Sequence, residues 1–405
     1  MRICKETKIV MKKLSIRDLD LEGKRIFVRV DFNVPLNEDG KIQNDARIKL
    51  SLPTIQYALS RGAKVILASH LGRPGGKINP NMSLRPVAVA IKSALGCPVK
   101  MADSCIGSEV VSQSQLIKSG EILLLENLRF HPGEEANEIK FAQQLATLCD
   151  LYVNDAFGTV HRAHASTTGI IPFVGQSAVG FLMEKELLNL GCAITNPKRP
   201  YVAIIGGAKI SGKIEIVEKL IKLVDVILIG GGMAYTFLKA KGVEVGRSLV
   251  ESDKIILAQD LLKKSKKQGS LIVLPVDHLV VENLRPGASI RSTLVDKTPE
   301  ESIGVDIGPA TCKIFEEKIS TAKTIFWNGP LGIFEMADFS QGTLNIAKAV
   351  SESQAMTIVG GGDSISALSK AGVTEKINHV STGGGASLEF LSGKNLPGLE
   401  ALSSQ

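Results

Sequence analysis

Short apolar runs recur along the chain, and each stops at a glycine or at a charged side chain. Examples are residues 64–68 (KVILA), 121–125 (EILLL), 201–205 (YVAII) and 226–229 (VILI). Runs of this length without polar alternation are typical of strands buried on both faces, as in parallel sheets covered by helices. The pattern therefore predicts an α/β protein with buried parallel strands.

The strand predicted nearest the amino terminus ends differently. Residues 25–35 read RIFVRVDFNVP, so an apolar run changes into alternating polar and apolar positions. With a side-chain period of two, Arg29, Asp31 and Asn33 are predicted to share one face until Pro35 ends the strand. Polar groups at such a carboxyl end lie where open α/β sheets bind ligands. The alternative is that Asp31 and Asn33 only cap the following loop.

Other strands of the first half also end in basic residues. The segments that follow them are SHLGRP (69–74), ENLRFH (126–131) and, after NDAF (154–157), HRAH (161–164). Between the strands that end near 34 and 68, a helix is predicted over residues 51–61, with Pro53 in its first turn and Gly62 beyond its end. Arg47 is predicted to lie just before this helix. The first half is therefore suited to a small anion.

In the second half the strands end in glycine clusters instead. These clusters are GGAK (206–209), GGG (230–232), GGGDS (360–364) and GGG (383–385). Repeated strand, glycine cluster and helix allow the backbone to approach a polyphosphate, although one such turn alone could serve packing. None of the clusters completes the G-x-G-x-x-G pattern of dinucleotide sites. The second half is therefore suited to a nucleotide.

Residues 207–214 (GAKISGKI) narrowly miss the P-loop pattern, because Ile214 stands where Ser or Thr would bind Mg²⁺. A Walker-type NTPase is excluded on this ground. Lys213 is predicted in the first turn of the next helix and Lys209 in the loop before it, where a phosphate would offset their unfavourable helix-dipole interaction. Solvated lysines are the alternative.

Asp363 follows three glycines and has two interpretations. An acidic residue in a helical first turn often serves only to compensate the helix dipole. At the end of a glycine cluster it is also suited to hold a Mg²⁺ that arrives with a nucleotide.

Charge and composition narrow the remaining classes. The net charge of +7 favours anionic partners, but the basic residues are spread out and only 4% of residues are aromatic, which disfavours nucleic-acid binding. The six cysteines form no zinc-like pattern and are expected to be thiols in a reducing cytosol. No signal-like or membrane-spanning run is predicted. Residues 1–10 are expected to be either an extension before Met11 or a disordered tail, and their deletion should change activity little.

Taken together, the ordered motifs resemble those of the phosphoglycerate kinase family from about Lys12 to the carboxyl terminus. The motifs are RVDFNVP (29–35), SHLGRP (69–74), LENLRF (125–130), HRAH (161–164), GGAK (206–209), WNGPLGIFE (327–335) and GGGD (360–363). So many motifs in order over the whole length make a chance match very improbable.

The resemblance implies a monomeric cytoplasmic enzyme of glycolysis that moves a phosphoryl group reversibly between 1,3-bisphosphoglycerate and ADP, giving 3-phosphoglycerate and ATP. It implies two Rossmann-like doubly wound parallel-sheet domains joined by a helix and hinge. Residues 1–179 would bind 3-phosphoglycerate, with residues 393–405 packing back on them. Residues 180–195 would be the interdomain helix and linker, and residues 196–392 the nucleotide-binding domain.

The resemblance also implies site residues. The 3-phosphoglycerate site would comprise Asp31, Phe32, Asn33, Arg47, His70, Leu71, Gly72, Arg73, Arg129 and Arg162. The nucleotide site would comprise Lys213, Glu335, Gly361, Gly362, Asp363 and Ser364, with Asp363 also meeting Mg²⁺. Two positions depart from the family pattern, since Ser364 replaces a common threonine and Gly212 a common aspartate.

The implied chemistry agrees with what the sequence lacks, since no Ser-His-Asp set or catalytic cysteine can be identified. The attacking carboxylate of 3-phosphoglycerate is already ionised at neutral pH, so catalysis reduces to positioning and charge stabilisation. Arg47, Lys209, Lys213 and Mg²⁺ are assigned to that task. Because the two ligands belong to different halves, the halves are expected to open and close, with residues 181–190 and 382–391 as candidate hinges.

Two alternatives remain at this point. One is another ATP-dependent small-molecule kinase or synthetase with a similar two-domain plan. The other is a nucleic-acid-binding protein, which would require the basic side chains to form a continuous stripe.

Overall fold

The computed structural model describes residues 13–404, which divide into two units. The first unit runs to Gly191 and includes the segment from Asn395 onward, and the second is Cys192–Lys394. The expectation for residues 1–10 lies outside the described residues. Within residues 13–404, no helix has the length and apolar character needed to cross a membrane.

The first unit is built on a six-stranded sheet in which all neighbours are parallel. Its strands are β1 (Arg25–Arg29), β2 (Lys64–Ala68), β3 (Val99–Met101), β4 (Ile122–Leu124), β5 (Leu151–Asn154) and β6 (Gln176–Val179). They lie in the order β3-β4-β2-β1-β5-β6. The chain moves outward from β1 in one direction and later returns to β5 on its other side. This switch point is where doubly wound sheets bind ligands.

The first strand is shorter than its sequence pattern predicts. The prediction that alternation continues to Pro35 is wrong, because β1 ends at Arg29 and the next residues form a loop. The Asp31 carboxylate accepts a hydrogen bond from the Asn33 N–H at 3.2 Å, and a side chain that bonds its own backbone two residues on favours a turn over a strand. Phe32 is fully buried within this loop.

The helices of the first unit are α1 (Ala46–Ser60), α2 (Arg85–Leu95), α3 (Ser108–Leu116), α4 (Pro132–Glu135), α5 (Ile139–Ala146) and α6 (Phe181–Thr195), with α14 (Pro397–Glu400) near the end of the chain. The prediction that α1 begins at residue 51 is wrong. Asn44 accepts a hydrogen bond from the Ala46 N–H at 2.9 Å and starts the helix early. Pro53 consequently lies inside α1, and Arg47 lies in its first turn.

The last residues of the chain pack on the first unit. The Lys13 ammonium donates to the Leu402 carbonyl at 2.7 Å, and the Gly398 N–H donates to the Val160 carbonyl at 2.9 Å. Leu396 and Leu402 are only 2% and 3% exposed. The segment therefore contributes apolar burial to the unit at whose surface it lies.

The second unit has its own six-stranded parallel sheet and a three-stranded antiparallel sheet. Its strands are β7 (Tyr201–Ile205), β8 (Val226–Ile229), β9 (Leu271–Val273), β10 (Asp277–Val281), β11 (Arg291–Leu294), β12 (Ile303–Ile307), β13 (Thr324–Asn328), β14 (Met356–Gly360) and β15 (His379–Ser381). The parallel order is β15-β14-β13-β7-β8-β9, so the switch point lies between β7 and β13. The antiparallel sheet, β11-β10-β12, was not predicted.

The helices of the second unit are α7 (Ile214–Leu223), α8 (Met233–Ala240), α9 (Ile255–Gln268), α10 (Pro309–Thr321), α11 (Gln341–Glu352), α12 (Gly362–Lys370) and α13 (Gly384–Leu391). A single core joins the central strands to α10, α11 and α12, with Trp327 and Phe315 fully buried in it. Three of the predicted glycine clusters thus lie at the carboxyl edge of the sheet, where residues 230–232 precede α8 and where α12 and α13 begin at Gly362 and Gly384.

Candidate functional site

The loop after β1 carries a buried carboxylate surrounded by basic groups. Asp31 is 5% exposed and binds the Arg47 guanidinium at 2.5 Å, and the His70 ring nitrogen lies 3.9 Å from it. Burial raises the pKa of Asp31, but His70, Arg47 and Arg29 outweigh that effect, and the net pKa is lowered. Asp31 is therefore a buried anion whose ion pair with Arg47 orients that guanidinium group.

The segment after β2 is fastened to this loop by hydrogen bonds. The Phe32 N–H donates to the Ser69 hydroxyl at 2.8 Å, and the Gly72 N–H donates to the Asn33 side-chain oxygen at 2.8 Å. Leu71 is buried, and its N–H donates to the Asn127 side chain. These bonds hold the carboxyl ends of neighbouring strands together.

Arg129 closes the same cluster from the segment after β4. Its guanidinium donates to the Gly72 carbonyl at 2.9 Å and lies 3.2 Å from Glu135. Burial, opposed by Glu135 and assisted by the charges of Arg29 and Arg162, lowers the pKa of Arg129. The charges of Arg29 and Arg162 therefore act on the Arg129 guanidinium at this edge of the sheet.

The state of His70 reflects this positive potential. Its pKa is held well below the ordinary value, chiefly by burial and then by Arg29, Arg129 and Arg47, while Asp31 opposes the shift. A neutral imidazole at neutral pH can act as a hydrogen-bond donor or acceptor toward an anion without adding charge.

Arg162 and Arg73 occupy the more accessible parts of the edge. Arg162 is half-buried and donates to the His161 ring at 3.1 Å, and its charge lowers the pKa of His164 together with burial and the charges of Arg29 and Arg129. Arg73 is exposed. Both guanidinium groups are therefore available to an incoming ligand.

Sequence reasoning missed the buried support beneath these arginines. Arg29 is fully buried, and its guanidinium donates to the Ser166 hydroxyl at 2.9 Å. That hydroxyl donates in turn to buried Glu134 at 2.6 Å. Arg29 belongs to the RVDFNVP motif, so a signal existed, but nothing local pairs residue 29 with residues 134 and 166.

The second unit forms a backbone cradle at its switch point. The Gly206 N–H donates to the Asn328 carbonyl at 3.0 Å, and the Gly207 N–H donates to the Pro330 carbonyl at 2.8 Å. A Cβ at Gly206 would lie 2.0 Å from the Pro330 oxygen, and one at Gly329, where φ is +94°, would lie 2.3 Å from the Gly206 oxygen. Only glycine permits this approach of two strand ends.

Lys213 lies inside this cradle, at the residue that precedes α7. Its ammonium donates to the Gly206 carbonyl at 2.6 Å and to the Asn328 carbonyl and side-chain oxygen at 3.1 and 2.7 Å. Burial lowers the pKa of Lys213 to about 8, and the nearby charge of Asp363 opposes that shift. Asn328, which sequence reasoning omitted, holds the lysine in place.

The amino terminus of α12 faces the same edge. Gly361 has φ of +99°, and no side chain caps the helix. Asp363 lies in the first turn and is exposed, whereas Ser364 is buried and its hydroxyl accepts the Gly329 N–H at 2.6 Å. A Cβ at Gly384 would lie 2.7 Å from the Gly361 backbone, so α12 and α13 begin side by side. Two neighbouring helix amino termini that no N-cap side chain binds favour phosphate.

The remaining predicted residues of the second unit are exposed. Lys209 lies in the loop before α7, and Glu335 lies on the segment between β13 and α11. No described hydrogen bond joins either side chain to Lys213 or Asp363.

Comparison with known proteins identifies the family. Residues 16–394 match the sequence model of phosphoglycerate kinase. A phosphoglycerate kinase of Solibacter usitatus is 60% identical over 97% of this chain and 100% of its own length. The solved phosphoglycerate kinase of Coxiella burnetii is 41% identical with a TM-score of 0.86, and that of Pyrococcus horikoshii is 33% identical with a TM-score of 0.84. Each alignment to these structures covers 96% of this chain and 98% of the other. The chain therefore belongs to the phosphoglycerate kinase family.

Proposed function

We propose that the two units divide the ligands of the family reaction between them. As a member of the family, the chain is an ATP-dependent kinase that transfers a phosphoryl group reversibly between 1,3-bisphosphoglycerate and ADP in glycolysis. Residues 1–179, with residues 393–405, bind 3-phosphoglycerate, residues 196–392 bind the nucleotide, and residues 180–195 connect the two.

The basic edge of the first unit is the observation that carries the 3-phosphoglycerate site. Arg47, Arg129 and Arg162 converge there, and their mutual repulsion is relieved when an anion binds. Two oxygens of a tetrahedral phosphate group or of a planar carboxylate can accept a pair of hydrogen bonds from one guanidinium group. Asp31, Phe32, Asn33, His70, Leu71, Gly72 and Arg73 complete the proposed site.

The glycine cradle and the uncapped helices support the nucleotide site in the second unit. Free N–H groups at Gly361 and Gly362 bind phosphate oxygens, with Ser364 holding the turn and Lys213 supplying charge. Glu335 is exposed near the end of the WNGPLGIFE segment and accepts hydrogen bonds from the nucleoside.

The residues present also fit a Mg²⁺ ion that arrives with the nucleotide. Mg²⁺ in kinase sites commonly takes one or two carboxylates together with substrate phosphates. Asp363 is exposed in the first turn of α12, and its field reaches Lys213. Asp363 would hold the ion, which when bound neutralises charge on the phosphate chain.

The chain's own residues then need only position the reactants and stabilise charge. The carboxylate of 3-phosphoglycerate is ionised at neutral pH, so no general base is required. Arg47, oriented by Asp31, together with Lys209 and Lys213, stabilises the charge that develops on the transferring phosphoryl oxygens. Water must be excluded between donor and acceptor, and we infer that closure of the units accomplishes this.

The finer properties follow the family. We propose that the chain acts as a monomer in the cytoplasm and requires neither nucleic acid nor a membrane. The hinge residues are proposed to lie within 181–190 and 382–391.

A coupled assay tests the reaction directly. ATP turnover with Mg²⁺ should require 3-phosphoglycerate, and acetate, lactate or glycerate at equal concentration should not replace it. Turnover that is as fast with one of those carboxylates would overturn the assignment of the basic edge to 3-phosphoglycerate.

A further inference from the structure

A buried carboxylate outside the predicted sites holds the start of α6. Asp155 directly follows β5 and is fully buried. Its Oδ1 accepts hydrogen bonds from the N–H groups of Leu182 at 2.9 Å and Met183 at 3.1 Å. A Cβ at Gly180 would lie 2.3 Å from the same oxygen, so only glycine lets the helix approach this closely.

A threonine of α1 binds a further N–H group in the first turn of α6. Thr54 is fully buried, and its hydroxyl oxygen accepts the Phe181 N–H at 2.9 Å. The ring of Tyr57, one turn further along α1, packs on the Phe181 ring with centroids 5.1 Å apart. Three successive N–H groups of the first turn of α6 are thus bound by the side chains of Asp155, just after β5, and of Thr54 in α1.

These contacts differ from ordinary helix capping. A capping side chain belongs to the residue that begins its own helix and contributes about 1 kcal/mol of local stability. Here the side chains come from 27 and 127 positions away in the sequence. They fix where α6 begins relative to β5 and α1, which local capping would not require. Burial also raises the pKa of Asp155 to about 7, with the Thr54 hydroxyl and the two helix N–H groups opposing that rise, so this carboxylate is costly to maintain.

The same two elements carry the predicted substrate arginines. Arg47 lies in the first turn of α1, two turns before Thr54. Arg162 lies seven positions after Asp155 on the segment that continues from β5. Helix α6 runs on past Gly191 into the second unit. Thr54 and Asp155 therefore connect both arginine-bearing segments to the turn from which α6 starts.

We propose that Asp155 and Thr54 are positioning residues for phosphoryl transfer, which link the substrate-bound positions of Arg162 and Arg47 to the placement of α6. This inference rests on the proposed closure of the two units. Both residues are fully buried, so neither is expected to touch the substrate. Their loss is expected to leave 3-phosphoglycerate binding intact and to impair the step that follows it.

The central test compares Thr54→Val with Thr54→Ser. Valine keeps the volume but loses the acceptor, and serine retains it. We expect Thr54→Val to lower kcat about tenfold, with KM for 3-phosphoglycerate and its calorimetric Kd in the absence of nucleotide changed less than about twofold. Thr54→Ser should restore kcat. Asp155→Ala, which removes the acceptor oxygen, should show the same split between kcat and KM, whereas Asp155→Asn, which keeps one acceptor oxygen, should retain kcat.

Thr236→Val is the matched control. Thr236 is a buried threonine of α8, in the second unit, whose hydroxyl also accepts a backbone N–H, from Glu251 at 3.1 Å. Thr236→Val should lower Tm by about as much as Thr54→Val does, but it should not lower kcat.

Three results would overturn the inference: a wild-type kcat in Thr54→Val, a loss of kcat matched by an equal loss of 3-phosphoglycerate affinity, or the same loss of kcat in Thr236→Val. Failure of the wild-type protein to bind 3-phosphoglycerate would instead overturn the proposed function, so the two failures are distinguishable.

Discussion

At the basic edge of the first unit, single residues orient positively charged side chains before an anion binds. Asp31 is buried, and one of its carboxylate oxygens accepts a hydrogen bond from Arg47. The side chain of Arg47 remains 36% exposed. The guanidinium can therefore keep its contact with Asp31 and still present other N–H donors outward. This arrangement orients a cation at little entropic cost when the ligand arrives.

Arg47→Ala should lower turnover far more than it lowers nucleotide affinity. Loss of a charge contact made in the transition state costs on the order of 3 kcal/mol, or about a hundredfold in kcat. Steady-state kinetics and calorimetry with Mg-ADP measure the two effects. Lys49→Ala is the control, since Lys49 is exposed on the same helix and forms an ion pair with exposed Asp45. Near-normal turnover in Arg47→Ala would remove Arg47 from the catalytic role.

A second residue-scale prediction concerns Asp306 in the second unit. It is 2% exposed and accepts the N–H groups of Gly342 at 2.6 Å and Ile307 at 2.9 Å, yet burial raises its pKa to about 7. The folded state therefore holds the proton more tightly than the unfolded state, where the pKa is near 4. This contribution to stability is greatest at low pH and is lost as pH rises toward 7.

Asp306→Asn should remove that pH dependence. Between pH 5 and 7 the unfolding free energy of the variant should gain about 2 kcal/mol relative to wild type, because the amide cannot ionise. Urea unfolding at several pH values measures this difference. Asp260→Asn, at an exposed site on α9, should give a curve parallel to wild type. A parallel curve for Asp306→Asn as well would contradict the raised pKa.

At the scale of elements, the sequence pattern predicted the central strands well and the helix starts less well. Strand β2 matches the predicted residues 64–68, and β7 and β8 match 201–205 and 226–229. Each of these strands is a continuous apolar run bounded by glycine or polar residues, a pattern that predicts a buried strand. Helix α1 starts at residue 46 because Asn44 supplies the first hydrogen bond, a signal that was outweighed by the proline at position 53.

What the sequence could not predict depends on distant pairing. Strand β11 (RSTL) is mostly exposed and has no apolar pattern, so only its pairing with β10 defines it. The bonds from Arg29 to Ser166 and from Ser166 to Glu134 likewise join residues 137 and 32 positions apart. The sequence analysis named Arg47 and Lys213, whereas the contacts of Asp155 with the start of α6 and of Asn328 with Lys213 required the fold.

The terminal segment gives a prediction at this scale. Leu402 is 3% exposed, beside a main chain that bonds to Lys13. Leu402→Ala should lower the unfolding free energy by about 3 kcal/mol, through lost burial and a residual cavity. Leu116→Ala, at a residue 71% exposed, is the control and should change little. Denaturant unfolding is the measurement, and equal effects of the two substitutions would show that the segment does not stabilise the unit.

At the scale of the whole molecule, the two proposed sites belong to different units. Exchange of ligands requires each site to be accessible, whereas phosphoryl transfer requires water to be excluded between donor and acceptor. Both are met if the units close only when both ligands are bound. Small-angle scattering should then give a smaller radius of gyration with 3-phosphoglycerate and Mg-nucleotide together than with either alone. An unchanged radius in the ternary complex would contradict closure at residues 181–190 and 382–391.

The division of ligands between the units is the central claim, and paired calorimetry tests it most directly. Arg73 and Asp363 are both exposed, so substitution of either should leave the fold intact. Arg73→Gln should weaken 3-phosphoglycerate binding about tenfold or more and leave Mg-ADP binding unchanged, whereas Asp363→Asn should do the reverse. If either substitution weakened both ligands equally, or if the two effects were exchanged, the assignment of one ligand to each unit would be contradicted.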